Sequence, residues 1–201
     1  MPSNPSRRSV LGVLLSGAAV LALPVRALAL SVDQASRLVQ SLVNEVNTVI
    51  ASGKSEAGMF ADFERIFIRY ADVPTIAQRV LGPAARSASS AQMSAYVKAF
   101  TGYISRRYGR RFREFIGGKI EVVDARAIKS FYEVITVARL RGQEPFDLRF
   151  HVSDKSGKLL FFNMIIEGVN MMAAESTEIR AMLDKRRGNM DQMIEDLKRA
   201  G

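Results

Sequence analysis

The sequence predicts an α+β fold, with helices packed on an antiparallel sheet of about four strands. Three observations carry that reading. Apolar residues recur with a helical period from Ser31 to Ile116. They then alternate with a period of two as far as Val152, and the helical period returns after Gly168. The chain has 201 residues, 48% of them apolar and 24% charged, which suits one packed domain and excludes a disordered chain.

The helices come first. From Ser31 to Ala51, Leu38, Leu42, Val46 and Val49 form a stripe, and Ser31 with Gln34 reads as a capping box. Ser52-Gly53-Lys54-Ser55 ends this helix. A second helix covers Ala57 to Tyr70 and puts Phe60, Phe63 and Phe67 on one face. Pro74 opens a short third helix holding Ile76, Val80 and Leu81, which Gly82-Pro83 stops. A long helix from Ser90 to Ile116 aligns Met93, Val97, Phe100, Ile104, Tyr108, Phe112 and Phe115, with Gly109 as a point where it kinks.

The strands follow. Ile120–Ala125 and Phe131–Leu140 are short and rich in β-branched residues, and Phe146, Leu148, Phe150 and Val152 alternate with Asp147, Arg149, His151 and Ser153. Leu159–Ile166 is nearly continuous apolar sequence, as in a strand covered on both faces. Two helices, Met171–Arg187 and Asn189–Arg199, close the chain.

Residues 1–29 stand outside this pattern. Arg7 and Arg8 precede an apolar stretch from Val10 to Leu23, and Ala27-Leu28-Ala29 forms a small-x-small site. This is the layout of a cleavable signal peptide, cut after Ala29. Ser6-Arg7-Arg8-Ser9-Val10-Leu11 resembles a twin-arginine signal, with the general secretory route as the alternative. The apolar stretch is shorter than the ~20 residues a membrane span needs. The signal holds three basic residues and no acidic one. That leaves 26 basic and 20 acidic residues in the mature part, a net +6. An exported basic protein meets anionic membranes and acidic proteins, not nucleic acid.

Catalytic chemistry is hard to find. There is no cysteine, so thiolate catalysis and disulfides are excluded. The one histidine, His151, shares a strand face with Asp147 and Arg149 and reads as a solvated polar residue. No set of residues has metal-ligand spacing, and no glycine-rich phosphate loop follows a strand. The chain is therefore expected to be no enzyme and to use neither cofactor nor metal.

The run from Arg106 to Arg113 has the charge and interleaved aromatics of a nucleic-acid site, which the export signal argues against. Two readings stay open for Arg106, Arg107, Arg110 and Arg111. They are a solvated helix face, or a docking patch for an acidic partner or an anionic membrane. Eleven phenylalanines and nine methionines accompany them, with Met164, Met171, Met172 and Met182 clustered around and after the last strand. Methionine adapts to irregular apolar shapes.

Several stretches, in order, resemble the MlaC or toluene-tolerance family of periplasmic lipid-binding proteins. Asp72 to Gly82 is similar to its Asp…Ile-Ala…Leu-Gly helix, and Met93 to Tyr108 to its long helix with spaced aromatics. Arg141-Gly142-Gln143-Glu144-Pro145 resembles the turn before its next strand, Ile166-Glu167-Gly168-Val169 its Ile-Glu-Gly-Val signature, and Gly188…Met193-Ile194…Leu197 its last helix. The chain departs from the family at Leu159, where Trp is common, at Phe162-Asn163 in place of Tyr-Asp, and at Glu175-Ser176 in place of Tyr-Arg.

The resemblance implies a curved sheet with an apolar pocket under the helices. It implies a periplasmic carrier that shuttles phospholipid between an outer-membrane lipoprotein complex and an inner-membrane ABC transporter complex, keeping the outer membrane asymmetric. A hopanoid-like cargo and a non-catalytic adaptor are the alternatives, and the carrier is expected to be a monomer. The pocket-lining residues would be Val80, Phe100, Ile104, Tyr108, Phe150, Met164, Ile166, Val169 and Met172, with the Tyr108 hydroxyl at the mouth.

Overall fold

The computed structural model describes residues 31–201. The expected signal peptide, residues 1–29, and its cleavage site lie outside the described residues. The order is α1 (Val32–Ile50), α2 (Glu56–Tyr70), α3 (Val73–Leu81), a 3₁₀ turn (Gly82–Arg86), α4 (Ser90–Gly109) and a second 3₁₀ turn (Arg110–Phe115). Then come β1 (Lys119–Ile128), β2 (Phe131–Arg139), β3 (Phe146–Ser153), β4 (Leu160–Ile166), β5 (Val169–Asn170), α5 (Met171–Lys185) and α6 (Met190–Arg199). No described helix is long and apolar enough to cross a membrane.

The helices start where side chains can accept from their first free N–H groups. Ser31 and Gln34 form the expected capping box, with reciprocal bonds of 3.2 and 2.9 Å. Ser89 and Gln92 repeat it on α4 at 3.1 Å each. Asp72, Asn170 and Asn189 cap α3, α5 and α6. The predicted helix to Ile116 stops sooner. At Gly109 it tightens into the 3₁₀ turn, and a Cβ there would stand 2.6 Å from the Phe60 ring. Glycine lets the α2 ring lie flush against the backbone at the end of α4.

The sheet is antiparallel and open, in the order β1-β2-β3-β4-β5. It has five strands, not about four. The extra strand follows from Glu167 and Gly168, whose φ values of 49° and 80° make a two-residue turn of the kind that folds a chain back on itself. That turn brings Val169 alongside Ile166 and Asn170 alongside Ile165. A two-residue strand leaves no periodicity to read. Register shifts at Val122/Asp124 and His151/Val152 place an irregularity in each half of the sheet. Such bulges bend a strand and increase its twist.

One sheet face carries Val134, Thr136, Ala138, Leu148, Phe150 and Val152, all buried against the helices. Helix α1 crosses β1, where the Asn47 amide pairs with Ile120, accepting from its N–H at 3.0 Å and donating to its carbonyl at 2.8 Å. The α2–α3 junction is tied to β4 by the Asp72 N–H, which donates to the Phe161 carbonyl at 2.8 Å. Helix α6 packs along α4, and α5 packs on α3.

His151 is not solvated. Its side chain is 13% exposed, because the Phe131 and Phe162 rings lie against it with centroids at 4.6 and 5.9 Å. Its Nε2 stands 3.4 Å from buried Glu133, and its Nδ1 stands 3.4 Å from Asn163. Burial lowers its pKa against the pull of Glu133. Asp147 and Arg149, on the same face, pair with each other at 2.6 Å.

Candidate functional site

Between the helix layer and the sheet lies a cavity of about 440 Å³. That is within the ~300–1,000 Å³ of small-molecule sites. It exists because the two layers do not close on each other along their whole length. Leu42, Val43 and Val46 of α1, Phe63, Ile66 and Phe67 of α2, and Ile76 and Val80 of α3 form one wall. Phe100, Ile104 and Tyr108 of α4 continue it at helical spacing. Leu148 and Phe150 of β3 and Phe161, Met164 and Ile166 of β4 form the opposite wall.

All nine sequence-predicted residues stand in this lining: Val80, Phe100, Ile104, Tyr108, Phe150, Met164, Ile166, Val169 and Met172. The sequence reading left out the α1 and α2 contribution. Their apolar stripes were visible, but a stripe says nothing about whether its partner is a side chain or a space. The mouth was also missed. Glu114, Gln143, Glu167 and Val169 line the cavity yet are exposed, so they mark where it reaches the surface. They come from the second 3₁₀ turn, the β2–β3 connection, the β4–β5 turn and the start of β5. Val169 is 55% exposed, an apolar residue on the lip.

Polar groups in the wall are few. Asn163 is buried, and its Oδ1 accepts from the Met172 N–H at 3.2 Å, fixing the start of α5 against β4. Tyr108 does not direct its hydroxyl to the mouth. It donates a short hydrogen bond to Oε1 of Glu175, a residue only 3% exposed. Arg107 Nε stands 3.2 Å from the same oxygen and donates from Nη1 to the Tyr103 hydroxyl at 2.8 Å. Burial, and then the Glu175 charge, push the Tyr108 pKa up, so its hydroxyl keeps its proton throughout the physiological range. Among the described residues, Glu175 Oε2 has no hydrogen-bond partner, and neither has the hydroxyl of Tyr96.

The basic run divides. Arg106 is half-buried and donates to the carbonyls of Leu197 and Ala200, each at 2.8 Å, where a cation also suits the C-terminal end of α6. Arg107 is held by Tyr103 and Glu175 but keeps 43% of its side chain exposed. Arg110 is exposed. The side chain of Arg111 is outside the described residues.

Comparison with known proteins gives two findings. A family model described as MlaC protein matches residues 40–199. A solved structure of a phospholipid-binding protein from Ralstonia solanacearum, in complex with a phospholipid, has the same fold. The TM-score is 0.68 at 17% identity, covering 81% of this chain and 98% of that one.

Proposed function

The chain belongs to the MlaC protein family, and from that premise we propose that it is a periplasmic phospholipid carrier. The supporting observation is the cavity, about 440 Å³ of space lined almost wholly by apolar side chains and reaching the surface. Moving hydrocarbon into water costs about 0.8 kcal/mol per methylene, so two acyl chains of ordinary length cost on the order of 20 kcal/mol. Free passage across an aqueous compartment is then very slow. A wall that replaces most of that burial removes the barrier while leaving the cargo exchangeable.

In this reading the acyl chains enter past Val169 and lie between the α4 face and the sheet, and the headgroup stays at the mouth. Met164, Met171 and Met172 adapt the wall to tails of different shape. The protein binds and releases, and does no chemistry. It shuttles as a monomer between an outer-membrane lipoprotein complex and an inner-membrane ABC transporter complex, in support of outer-membrane asymmetry. Of the basic run, Arg107 and Arg110 keep charge available for docking on those partners.

The test is direct. Protein purified from its own periplasm is extracted and its lipid identified by mass spectrometry. About one phospholipid per chain is expected. An empty protein that also takes up none from phospholipid vesicles overturns the proposal.

A further inference from the structure

We infer that His151 and Asn163 form a proton-sensitive latch on the cavity wall, so that charging the histidine loosens the start of α5 and weakens the hold on lipid. The inference rests on the carrier reading above and adds a control to it. Four groups stand in line. The Glu133 carboxylate lies 3.4 Å from His151 Nε2, and His151 Nδ1 lies 3.4 Å from the Asn163 amide nitrogen. Asn163 Oδ1 in turn accepts from the Met172 N–H at 3.2 Å. Met172 belongs to the first turn of α5, and it lines the cavity together with Asn163.

The direction of the line is set by its two ends. The carboxylate can only accept, so the neutral imidazole carries its proton on Nε2 and leaves Nδ1 as an acceptor. The backbone N–H can only donate, so Asn163 turns its oxygen to Met172 and its NH₂ to His151. A second proton on the imidazole goes to Nδ1, where it meets that NH₂, donor against donor. Turning the amide over satisfies His151 but sets the NH₂ against the Met172 N–H. Either way one contact is lost. Asn163 is 5% exposed and the His151 side chain 13%, so water is poorly placed to make good the loss.

Few charges bear on His151. Glu133 of β2 faces it, and the Oε1 of that carboxylate is already held by Arg126 of β1 at 2.8 Å. Asp147 and Arg149 of its own strand pair with each other. Strand β4 presents the neutral Asn163 and the Phe162 ring, and Arg79 of α3 reaches that ring at 4.9 Å from its centroid. Burial outweighs the pull of Glu133 and holds the His151 pKa below the ordinary histidine value. The latch is therefore shut at neutral pH and opens on acidification. Lipid packed against Met172 keeps the first turn of α5 in place and so favours the uncharged histidine. By reciprocity, the proton disfavours the lipid by the same factor.

His151 is the only histidine of the chain, so its imidazole NMR signals titrate without overlap. The full mature protein is compared empty and loaded with phosphatidylcholine, whose headgroup does not titrate near neutrality. The His151 pKa should be lower in the loaded protein by about half a unit or more, equivalent to about threefold weaker binding once the histidine is charged. Retention of the lipid against empty vesicles should fall by the same factor on acidification. His151→Gln cannot take up the proton and should hold lipid equally well before and after. Asn163→Asp places a carboxylate that accepts from the imidazolium and from Met172 alike. It should raise the His151 pKa and remove its dependence on lipid.

The same His151 pKa in empty and loaded native protein overturns the inference while leaving the carrier reading intact. So does an acid-induced release that persists in His151→Gln. A native protein that takes up no phosphatidylcholine would sink the carrier reading, and the latch with it. Because the native protein alone gives the first comparison, the outcome does not depend on a variant that folds.

Discussion

Helix α4 meets two kinds of neighbour. Along one face, Gln92 reaches Asp191 at 3.2 Å and Arg106, about four turns later, clamps the Leu197 and Ala200 carbonyls. Between them Tyr96 and Tyr103 are completely enclosed, as are Met193 and Leu197 of α6. Along another face, Phe100, Ile104 and Tyr108 look across a cavity toward the sheet. Both faces are apolar and both recur with the same period. What separates them is the partner. A second helix lies along α4 closely enough to fill the gap, whereas a bulged sheet bends and leaves space.

That contrast is sharpest in stability. Leu197→Ala, on the solid side, should cost about 2–5 kcal/mol, because neighbours cannot collapse into the void. Met164→Ala, whose side chain is half-buried and borders space already, should cost only about 1 kcal/mol. Urea unfolding of the two variants measures the difference, and equal losses would mean that the cavity is filled.

A smaller loss tests what holds the solid side together. Arg106→Met keeps most of the apolar stem and removes both carbonyl contacts, and should cost about 1–2 kcal/mol in the same assay. Lipid loading should be unchanged. A variant that unfolds normally but loads poorly would show that the two faces are coupled.

A pH dependence extends the comparison to the layer behind the cavity. Because burial lowers the His151 pKa, the unfolded chain takes up that proton more readily than the folded one. The contribution of His151 to stability is complete above an unfolded pKa of about 6.5 and is lost as pH falls below it toward the folded value. His151→Gln should remove that part of the slope. The lowered carboxyls Glu45, Asp62 and Asp196 act at more acidic pH, each held down chiefly by a side-chain hydrogen bond, from Tyr70, Lys54 and Arg186 respectively.

The smallest stability effect belongs to the lip. Val169→Arg lies at the exposed start of β5 and should stay within about 0.5 kcal/mol of the parent. It should nevertheless cut lipid uptake from vesicles several-fold, since a guanidinium would stand where apolar chains enter. Undiminished uptake would move the entrance elsewhere.

Much of this was legible in the sequence, and what was not has physical causes. The first helix starts could be read because Ser31 with Gln34 announces a capping box and Pro74 suits the first turn of α3. The nine residues named for the pocket stand in its lining; the period shows which face of an element turns inward, and only the family resemblance pointed to a space there. The short fifth strand could not be read, since it rests on Glu167 adopting a positive φ. His151 was misplaced because alternation predicts which side of a sheet a residue takes, not whether Phe131 and Phe162 will cover that side. The hydroxyl of Tyr108 was misplaced for a related reason. Its destination, Glu175, is 67 positions away in the chain, and nothing local points to it.

The edge of the sheet has a consequence of its own. Among the described residues strand β1 has no strand on its outer side, yet the Asn47 amide already occupies the outward N–H and carbonyl of Ile120, and the chain is out of register two residues later. Lys119, Glu121, Asp124 and Arg126 add charge along it. A border so interrupted is a poor template for another copy's backbone. The molecule can thus be abundant in a crowded compartment without zipping into filaments.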